Sequence, residues 1–180
     1  MASETRPPLV WVDMEMTGLD VARHHVLEVA AIVTDGDLNE VDDGLELIVH
    51  QPEEVLALMD EWCVNQHGQS GLTAAVRASR VGLEEAEALL LEYLRRHTSE
   101  GQSPLCGNSV GHDKRFLERW MPEVVQHLHY RIVDVSTVKE LALRWYPEMK
   151  RFPKGEAHRA RDDIRESIAE LRYYREQLFR

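Results

Sequence analysis

The stretch Val10–Leu19 constrains the fold more than any other part of the chain, because it sets two carboxylates into an apolar, strand-like run. Side chains two residues apart on a strand point to the same face. Asp13 and Glu15 therefore share a face with Trp11, and the apolar residues between them face the other way. Two like charges side by side on a buried strand are costly unless a cation compensates them. The stretch thus predicts a site for a hard divalent cation, or else a solvent-facing edge strand on which the two acids are harmless.

Two later motifs extend this pair into an ordered set. Residues Gly107–Asp113 read GNSVGHD, and residues His158–Asp163 read HRARDD. Four acids and a histidine in this order resemble the DEDDh exonuclease superfamily. Within that superfamily, the sequence of these motifs is most similar to the oligoribonuclease family, which consists of 3′→5′ exoribonucleases specialised for very short RNA. The resemblance extends from Leu9 to Phe179 and includes the non-catalytic phrases TDGDLN, LHYR and DVSTVKEL.

The resemblance implies a two-metal nuclease centre, with two divalent ions, Mg²⁺ or Mn²⁺, as cofactors. The implied metal ligands are Asp13, Glu15, Asp113 and Asp163. His158 matches the histidine of the motif, and a side chain whose pKa lies near neutrality suits removal of a proton from an attacking water.

The adjacent acids Asp162 and Asp163 require a choice, which helical spacing supplies. Neighbours on a helix lie three and four residues apart. Asp163 lies beside the apolar stripe through Ile164, so it is predicted to face inward, whereas Asp162 has charged neighbours and is predicted to face solvent. The family motif gives the same assignment.

The resemblance also implies a substrate pocket and a second subunit. Leu19 matches a residue that wedges between two bases, and Trp62 and His67 match substrate contacts, although a core position for Trp62 is an equally good interpretation. Tyr130 matches a catalytic tyrosine that the partner subunit of a homodimer donates. The residues matching a cap on the 5′ phosphate of the substrate are Ser109, Arg131 and Ser136.

The chain of 180 residues is predicted to form a single exonuclease domain over residues 9–180, after a short N-terminal extension of residues 1–8. No apolar run approaches the roughly 20 residues of a membrane helix, and the first residues carry no export or organelle signal, so a cytoplasmic location is expected.

Cys63 and Cys106 form no Cys-x-x-Cys pair and are predicted to be reduced thiols.

The net charge of −11 argues against a protein that grips long nucleic acid, since basic surfaces supply most phosphate affinity. Residues 1–100 carry 6 basic and 20 acidic groups, and residues 101–180 carry 15 and 12. A few well-placed cations are enough for a short substrate. The expected partner is therefore short single-stranded RNA, with no membrane and no long duplex.

The pattern of elements predicts an α/β fold with a mixed sheet. Strand-like runs at residues 9–15, 26–34 and 45–50 indicate an antiparallel meander, with a turn signal at Asp35-Gly36-Asp37. Strands at 104–107 and 131–135, each followed by a helix, indicate parallel additions to the sheet. Thr137 and Glu140 suggest a capping box for the second of these helices, and a final helix is expected over about 158–178. This pattern matches the ribonuclease-H-like fold, a mixed sheet flanked by helices, that the resemblance implies.

The sequence thus favours a metal-dependent 3′→5′ exoribonuclease that degrades short oligoribonucleotides to 5′-mononucleotides. Two alternatives remain at this point. One is another DEDDh exonuclease that proofreads or trims tRNA ends. The other is a non-catalytic module that binds RNA or nucleotides on the same fold.

Overall fold

The computed structural model describes residues 6–153 and 159–179. The strands of its sheet are β1 Leu9–Met16, β2 Val26–Thr34, β3 Leu45–Ile48, β4 Pro104–Gly107 and β5 His129–Asp134. The helices are α1 Glu53–Leu56, α2 Glu61–Gln69, α3 Leu72–Ala78, α4 Leu83–His97, α5 Gly111–Trp120, α6 Pro122–His127, α7 Val135–Trp145 and α8 Ala160–Leu178.

The five strands form one sheet in the order β3-β2-β1-β4-β5. β2 runs antiparallel to both β1 and β3, which confirms the predicted meander. β4 is parallel to β1, and β5 is parallel to β4, which confirms the predicted parallel additions. The fold is therefore the expected α/β architecture with a mixed sheet flanked by helices.

The alternation predicted along β1 separates two cores on the two faces of the sheet. Val10, Val12 and Met14 belong to the core that includes residues of α4 and α5. Trp11 belongs to the core of the opposite face, together with Ala160 and Ile164 of α8. Asp13 and Glu15, two and four residues beyond Trp11, are thus carried on the face that α8 covers.

β1 lies at the centre of the sheet, so the interpretation of this stretch as a solvent-facing edge strand is wrong. The carboxyl ends of β1, β4 and β5 lie at one end of the sheet because these three strands are parallel. That end is where residues following the three strands can meet.

The predicted start of α7 is also wrong. β5 ends at Asp134 and α7 begins at Val135, so Thr137 lies inside the helix and cannot cap it. The cap is Asp134, whose side chain accepts a hydrogen bond from the backbone N–H of Ser136. The sequence spacing favoured Thr137 and Glu140 as a capping box, but the carboxylate of Asp134, the last residue of β5, caps the helix instead.

Two further sequence expectations concern thiols and membranes. Cys63 and Cys106 are both free and buried. Burial raises the pKa of the Cys63 thiol to about 11 and that of Cys106 further still. Among the described residues, no helix combines the length and the apolar character needed to cross a membrane.

Candidate active site

Three acids from two distant parts of the chain meet at the carboxyl end of β1. A carboxylate oxygen from each of Asp13, Glu15 and Asp163 lies within 4.8 Å of the others. Asp163 comes from the first turn of α8, and it reaches the strand because α8 packs on the face that carries Trp11. Asp162, its neighbour, is exposed, as the helical spacing predicted.

Asp113 approaches β1 from the first turn of α5. It is buried, and its Oδ1 accepts a hydrogen bond of 3.1 Å from the backbone N–H of Met14, the residue between Asp13 and Glu15. The backbone of β1 thereby fixes this carboxylate near the other acids. All four predicted metal ligands thus converge on one strand end.

Burial and crowding raise the pKa values of three of these acids, Asp13, Glu15 and Asp113. Burial, reinforced by the charges of Asp113 and Glu15, raises the pKa of Asp13 well above its usual value. Burial and the charge of Asp163 raise the pKa of Glu15 to about 8. Burial likewise raises the pKa of Asp113 to about 7. Such a site favours any cation that can displace these protons.

The donor set fits a hard divalent cation. Every one of the four side chains offers carboxylate oxygens, which are the ligands that Mg²⁺ and Mn²⁺ prefer. A cation among them would offset the repulsion that adds to the effect of burial on the pKa values of Asp13 and Glu15. His158 lies outside the described residues, and Arg159, which follows it, precedes the first turn of α8.

Helix α2 supports the end of β1. His67 is buried, with Nε2 3.0 Å from the carbonyl oxygen of Met16 and Nδ1 3.9 Å from Oε2 of Glu15. A carbonyl only accepts, so Nε2 carries the proton, and burial lowers the pKa of this imidazole. His67 therefore stabilises the end of β1 next to Glu15 through the backbone of Met16. Its contact with substrate stays a prediction.

Two large apolar side chains flank this end of the sheet and are open to solvent. Leu19, three residues beyond β1, is 64% exposed, and Trp62, in the first turn of α2, is 65% exposed. The interpretation of Trp62 as a core aromatic is therefore wrong. The contacts of both side chains with nucleotide bases stay predictions.

Ser109 and Ser136 are brought together by a residue that the sequence analysis did not select. Asp134 Oδ1 accepts hydrogen bonds from the backbone N–H of Ser109 at 2.9 Å, and from the N–H and hydroxyl of Ser136 at 2.9 and 2.6 Å. Ser109 adopts φ +58°, a left-handed conformation that is uncommon for serine. The motif DVSTVKEL contained Asp134, but only the fold reveals that this side chain links the β4–α5 connection to the start of α7.

Tyr130 and Arg131 lie in the first half of β5, away from Ser136, which follows β5, and from Ser109, which follows β4. Tyr130 is 74% exposed, and the Arg131 guanidinium carbon lies 5.1 Å from the centre of its ring. Arg131 also lines a cavity of about 490 Å³ together with Arg6 and Leu9. Among the described contacts, neither side chain touches the acid cluster of its own subunit.

Glu28, which belongs to none of the sequence motifs, is a fully buried carboxylate on β2 directly opposite Glu15. The run VLEVAAIVT contains this single charge among apolar residues, and that isolation was the available signal. Its partner, Arg159, is 131 residues away in the sequence, so no local pattern could reveal the pair.

Comparison with known proteins agrees with this geometry. The family model described as Exonuclease (RNase_T) matches residues 10–171. A probable oligoribonuclease of Dictyostelium discoideum is 50% identical over 178 residues, which are 99% of this chain and 94% of that protein. The oligoribonuclease of Vibrio parahaemolyticus is 54% identical, covering 96% of both chains. Human mitochondrial oligoribonuclease is 52% identical over 96% of this chain and 73% of its own length.

Solved structures share the fold at much lower identity. A zinc-bound complex of Escherichia coli exonuclease I with single-stranded DNA has a TM-score of 0.78 at 16% identity, covering 97% of this chain. Exonuclease I from Methylocaldum szegediense has a TM-score of 0.74 at 19% identity, covering 96% of this chain. The chain spans 42% and 41% of those two proteins, so they show that the exonuclease fold recurs within longer chains.

Proposed function

The chain belongs to the oligoribonuclease family, and from that premise we propose that it is a 3′→5′ exoribonuclease that degrades short oligoribonucleotides, down to dinucleotides, to 5′-mononucleotides. The observation that carries the proposal is the meeting of Asp13, Glu15 and Asp163 within 4.8 Å, in a chain that matches oligoribonucleases over nearly its whole length. A module that only binds RNA has no need for such a costly concentration of half-buried acids.

Two divalent ions, Mg²⁺ or Mn²⁺, are proposed to be held by Asp13, Glu15, Asp113 and Asp163. When bound, such ions supply Lewis-acid stabilisation of charge at the scissile phosphate. The backbone of β1, through its bond to Asp113, and His67, through Met16, keep these ligands in place.

Proton transfer is assigned to His158. We propose that its imidazole takes a proton from the water that attacks phosphorus, while the bond to the 3′-oxygen of the preceding nucleotide breaks. The released product is the 3′-terminal nucleotide as a 5′-mononucleotide. Tyr130 of the partner subunit is proposed to complete this centre.

Recognition of a short substrate is assigned to both ends of the pocket. Leu19 would separate two bases and Trp62 would stack on one, a contact typically worth about 1–3 kcal/mol per base. Ser109 and Ser136 would bind the 5′ phosphate together with Arg131 of the partner subunit, since Arg131 lies beside Tyr130 in the first half of β5 and away from the two serines of its own chain. The Ser136 hydroxyl donates to Asp134, so a phosphate must take over that hydrogen, while the two backbone N–H groups keep Asp134 in place.

A homodimer is supported by the free edge of the sheet. Within the described part of the chain, β5 pairs with β4 alone, so its other edge is open. Apolar side chains on β5 and the adjoining α7 are exposed, namely Tyr130, Ile132, Leu141 and Trp145. A two-fold axis beside β5 would cover them and carry Tyr130 toward the partner. The cytoplasmic location stays a prediction, because the human relative is named as mitochondrial.

A substrate-length series tests the function. Purified protein should hydrolyse 5′-phosphorylated RNAs of two to about ten nucleotides only when Mg²⁺ or Mn²⁺ is present, and product release should be followed by chromatography. The rate should be highest for the dinucleotide, because its two ends fill the pocket, and should fall when the 5′ phosphate is removed.

The other outcomes of this series identify the alternatives. Equal rates on dinucleotides and long strands would indicate a trimming or proofreading exonuclease. Binding of short RNA without cleavage, at any metal concentration, would indicate a non-catalytic module.

A further inference from the structure

Glu28 is a fully buried carboxylate immediately beside the acid cluster. It lies directly across the antiparallel β1–β2 pair from Glu15. Directly opposite residues of such a pair project to the same face, and like charges there repel. The charge of Glu28 contributes to the raised pKa values of both Asp13 and Glu15. Glu28 therefore needs a cation of its own.

Arg159 supplies that cation. Its Nη2 and Nε lie 2.7 and 3.2 Å from Oε1 of Glu28, and Nη2 also lies 3.7 Å from Glu46 on β3. Arg159 is one-third exposed, whereas Glu28 is completely enclosed. Both guanidinium contacts to Glu28 end on one oxygen, which leaves Oε2 for another donor.

That donor is the start of helix α8. Glu28 Oε2 lies 3.4 Å from the backbone N–H of Ala160, the first residue of the helix. Arg159 is the N-cap residue, and no side-chain cap comes from Arg159 itself. Its carbonyl accepts the backbone N–H groups of Asp162 and Asp163 at 2.9 and 3.0 Å. A carboxylate at this end also interacts favourably with the helix dipole.

We propose that Arg159 is a positioning residue of the metal centre: paired with Glu28, it fixes the first turn of α8 against β2, so that Asp163 meets Asp13 and Glu15. The pair also compensates the buried charge of Glu28 beside the proposed metal ligands. Arg159 directly follows His158 in the sequence, so the same anchor lies next to the proposed base.

The test compares substitutions of this pair with a matched control on the same helix. Arg159→Gln removes the charge, Arg159→Lys keeps it without the planar fork, and the double variant Glu28→Gln/Arg159→Gln removes both charges. Arg165→Gln is the control, because Arg165 ties α8 to Glu40 at 3.3 Å, with Arg165 40% exposed. The readouts are the Kd for Mn²⁺ by calorimetry without RNA, kcat and KM on a 5′-phosphorylated dinucleotide, and Tm.

Arg159→Gln should weaken Mn²⁺ binding and lower kcat by about 10-fold or more, the usual effect of losing an outer-shell partner, with KM little changed. Arg159→Lys should recover part of both losses. The double variant should regain thermal stability, because no unpaired buried charge remains, and should keep the weak Mn²⁺ binding and low kcat. Arg165→Gln should match the unsubstituted protein.

The proposal would be overturned if Arg159→Gln bound Mn²⁺ and turned over normally, or if the double variant regained both together with its Tm. If Arg159→Gln does not fold, the double variant and Arg159→Lys decide the question. The inference rests on the metal centre of the proposed function. Unsubstituted protein that binds Mn²⁺ but cleaves no RNA would refute that function, and the Mn²⁺ comparison would still test Arg159. Unsubstituted protein that binds no Mn²⁺ would overturn both.

Discussion

Asp162 and Asp163 are adjacent in the sequence, yet the first turn of α8 sends only Asp163 into the acid cluster. Each ligand substitution, Asp13→Asn, Glu15→Gln, Asp113→Asn or Asp163→Asn, should reduce dinucleotide hydrolysis by at least about 1,000-fold, since each removes a charged ligand from a shared site. Asp162→Asn should stay within about threefold of the unsubstituted rate, because an exposed acid contributes little. Initial rates at saturating Mn²⁺ measure both. A dead Asp162→Asn beside a normal Asp163→Asn would reverse the assignment.

The same acids should make the metal-free protein less stable as the pH rises. Their pKa values are raised by folding, to about 8 for Glu15 and about 7 for Asp113, so the folded state binds protons more tightly than the unfolded state. That contribution is fully present below the unfolded pKa values and is lost as the pH rises from about 4 through 8. A loss of 1 kcal/mol lowers Tm by about 2–4 °C in a chain of this size.

Scanning calorimetry with EDTA should therefore show Tm falling by several degrees between pH 5 and pH 8. Added Mn²⁺ should raise Tm more at pH 8 than at pH 6, because fewer protons must be displaced. Asp13→Asn should flatten the metal-free profile. A metal-free Tm that rises steadily over this range would contradict the electrostatics of the site.

The orientation of a side chain was predictable where its neighbours are close in the sequence or recur with the period of the strand or helix. Alternation on β1 paired Asp13 with Glu15, and helical spacing turned Asp163 inward. The role of Glu28 was not predicted, because Glu28 pairs with Arg159, which comes near it only when α8 packs on β2. His67 was linked to substrate by resemblance, whereas its structural contact is the backbone at the end of β1.

At the scale of elements, the connection from β1 to β2 exposes Leu19 to solvent, and Gly18 allows this connection to pass close to His24. A β-carbon at Gly18 would lie 2.5 Å from Cε1 of His24, whose Nδ1 accepts the N–H of Asp20 at 2.9 Å. Gly18→Ala should therefore push this connection outward and displace Leu19. We expect kcat/KM on a dinucleotide to fall by about 10-fold, mainly through KM, while Mn²⁺ affinity is retained.

Gly36→Ala on the β2–β3 connection is the matched control, since an added β-carbon there meets nothing within 4 Å. It should leave both constants unchanged. Equal kinetics for Gly18→Ala and Gly36→Ala would mean that the position of Leu19 does not matter to catalysis.

The periodicity of the sequence predicted which segments form strands and helices, but it did not predict where β5 and α7 begin. β5 covers His129–Asp134 rather than the predicted 131–135, because pairing with β4 extends the strand at its start. Its end is decided by Asp134, which leaves the strand to cap α7 and to bind Ser109. The cap bond to Ser136 is local, whereas the bond from Ser109 comes from a distant segment, so a pattern read along one segment could not include it.

At the scale of the whole molecule, the active site is proposed to need two chains. Asp113→Asn homodimers should be inactive, and Tyr130→Ala homodimers should lose most of their activity. In a mixed dimer, one centre combines intact acids with the tyrosine of the Asp113→Asn chain, so it should work. Mixing equal amounts of the two variants should therefore raise activity above either parent, to at most about one quarter of the unsubstituted rate if subunits pair at random.

The control for this experiment is Tyr130→Phe in place of Tyr130→Ala, which separates the hydroxyl from the bulk of the ring. No gain after demonstrated subunit exchange would mean that Tyr130 serves its own chain or only packs. The directions of the strands were predictable from the alternation of strands and helices, but their order in the sheet was not. The second subunit was implied only by the family resemblance, because a free strand edge exists only once the strands are assembled.

The burial of Cys63 and Cys106 has a practical consequence for following that exchange. Their thiols are enclosed and hold their protons at neutral pH, so they should react slowly with maleimides. A single cysteine introduced at Val41, which is 46% exposed and lies on the β2–β3 connection away from β5, would then take up nearly all of a fluorescent dye. Donor-labelled and acceptor-labelled chains could be mixed, and the growth of energy transfer would report the partner swap in real time.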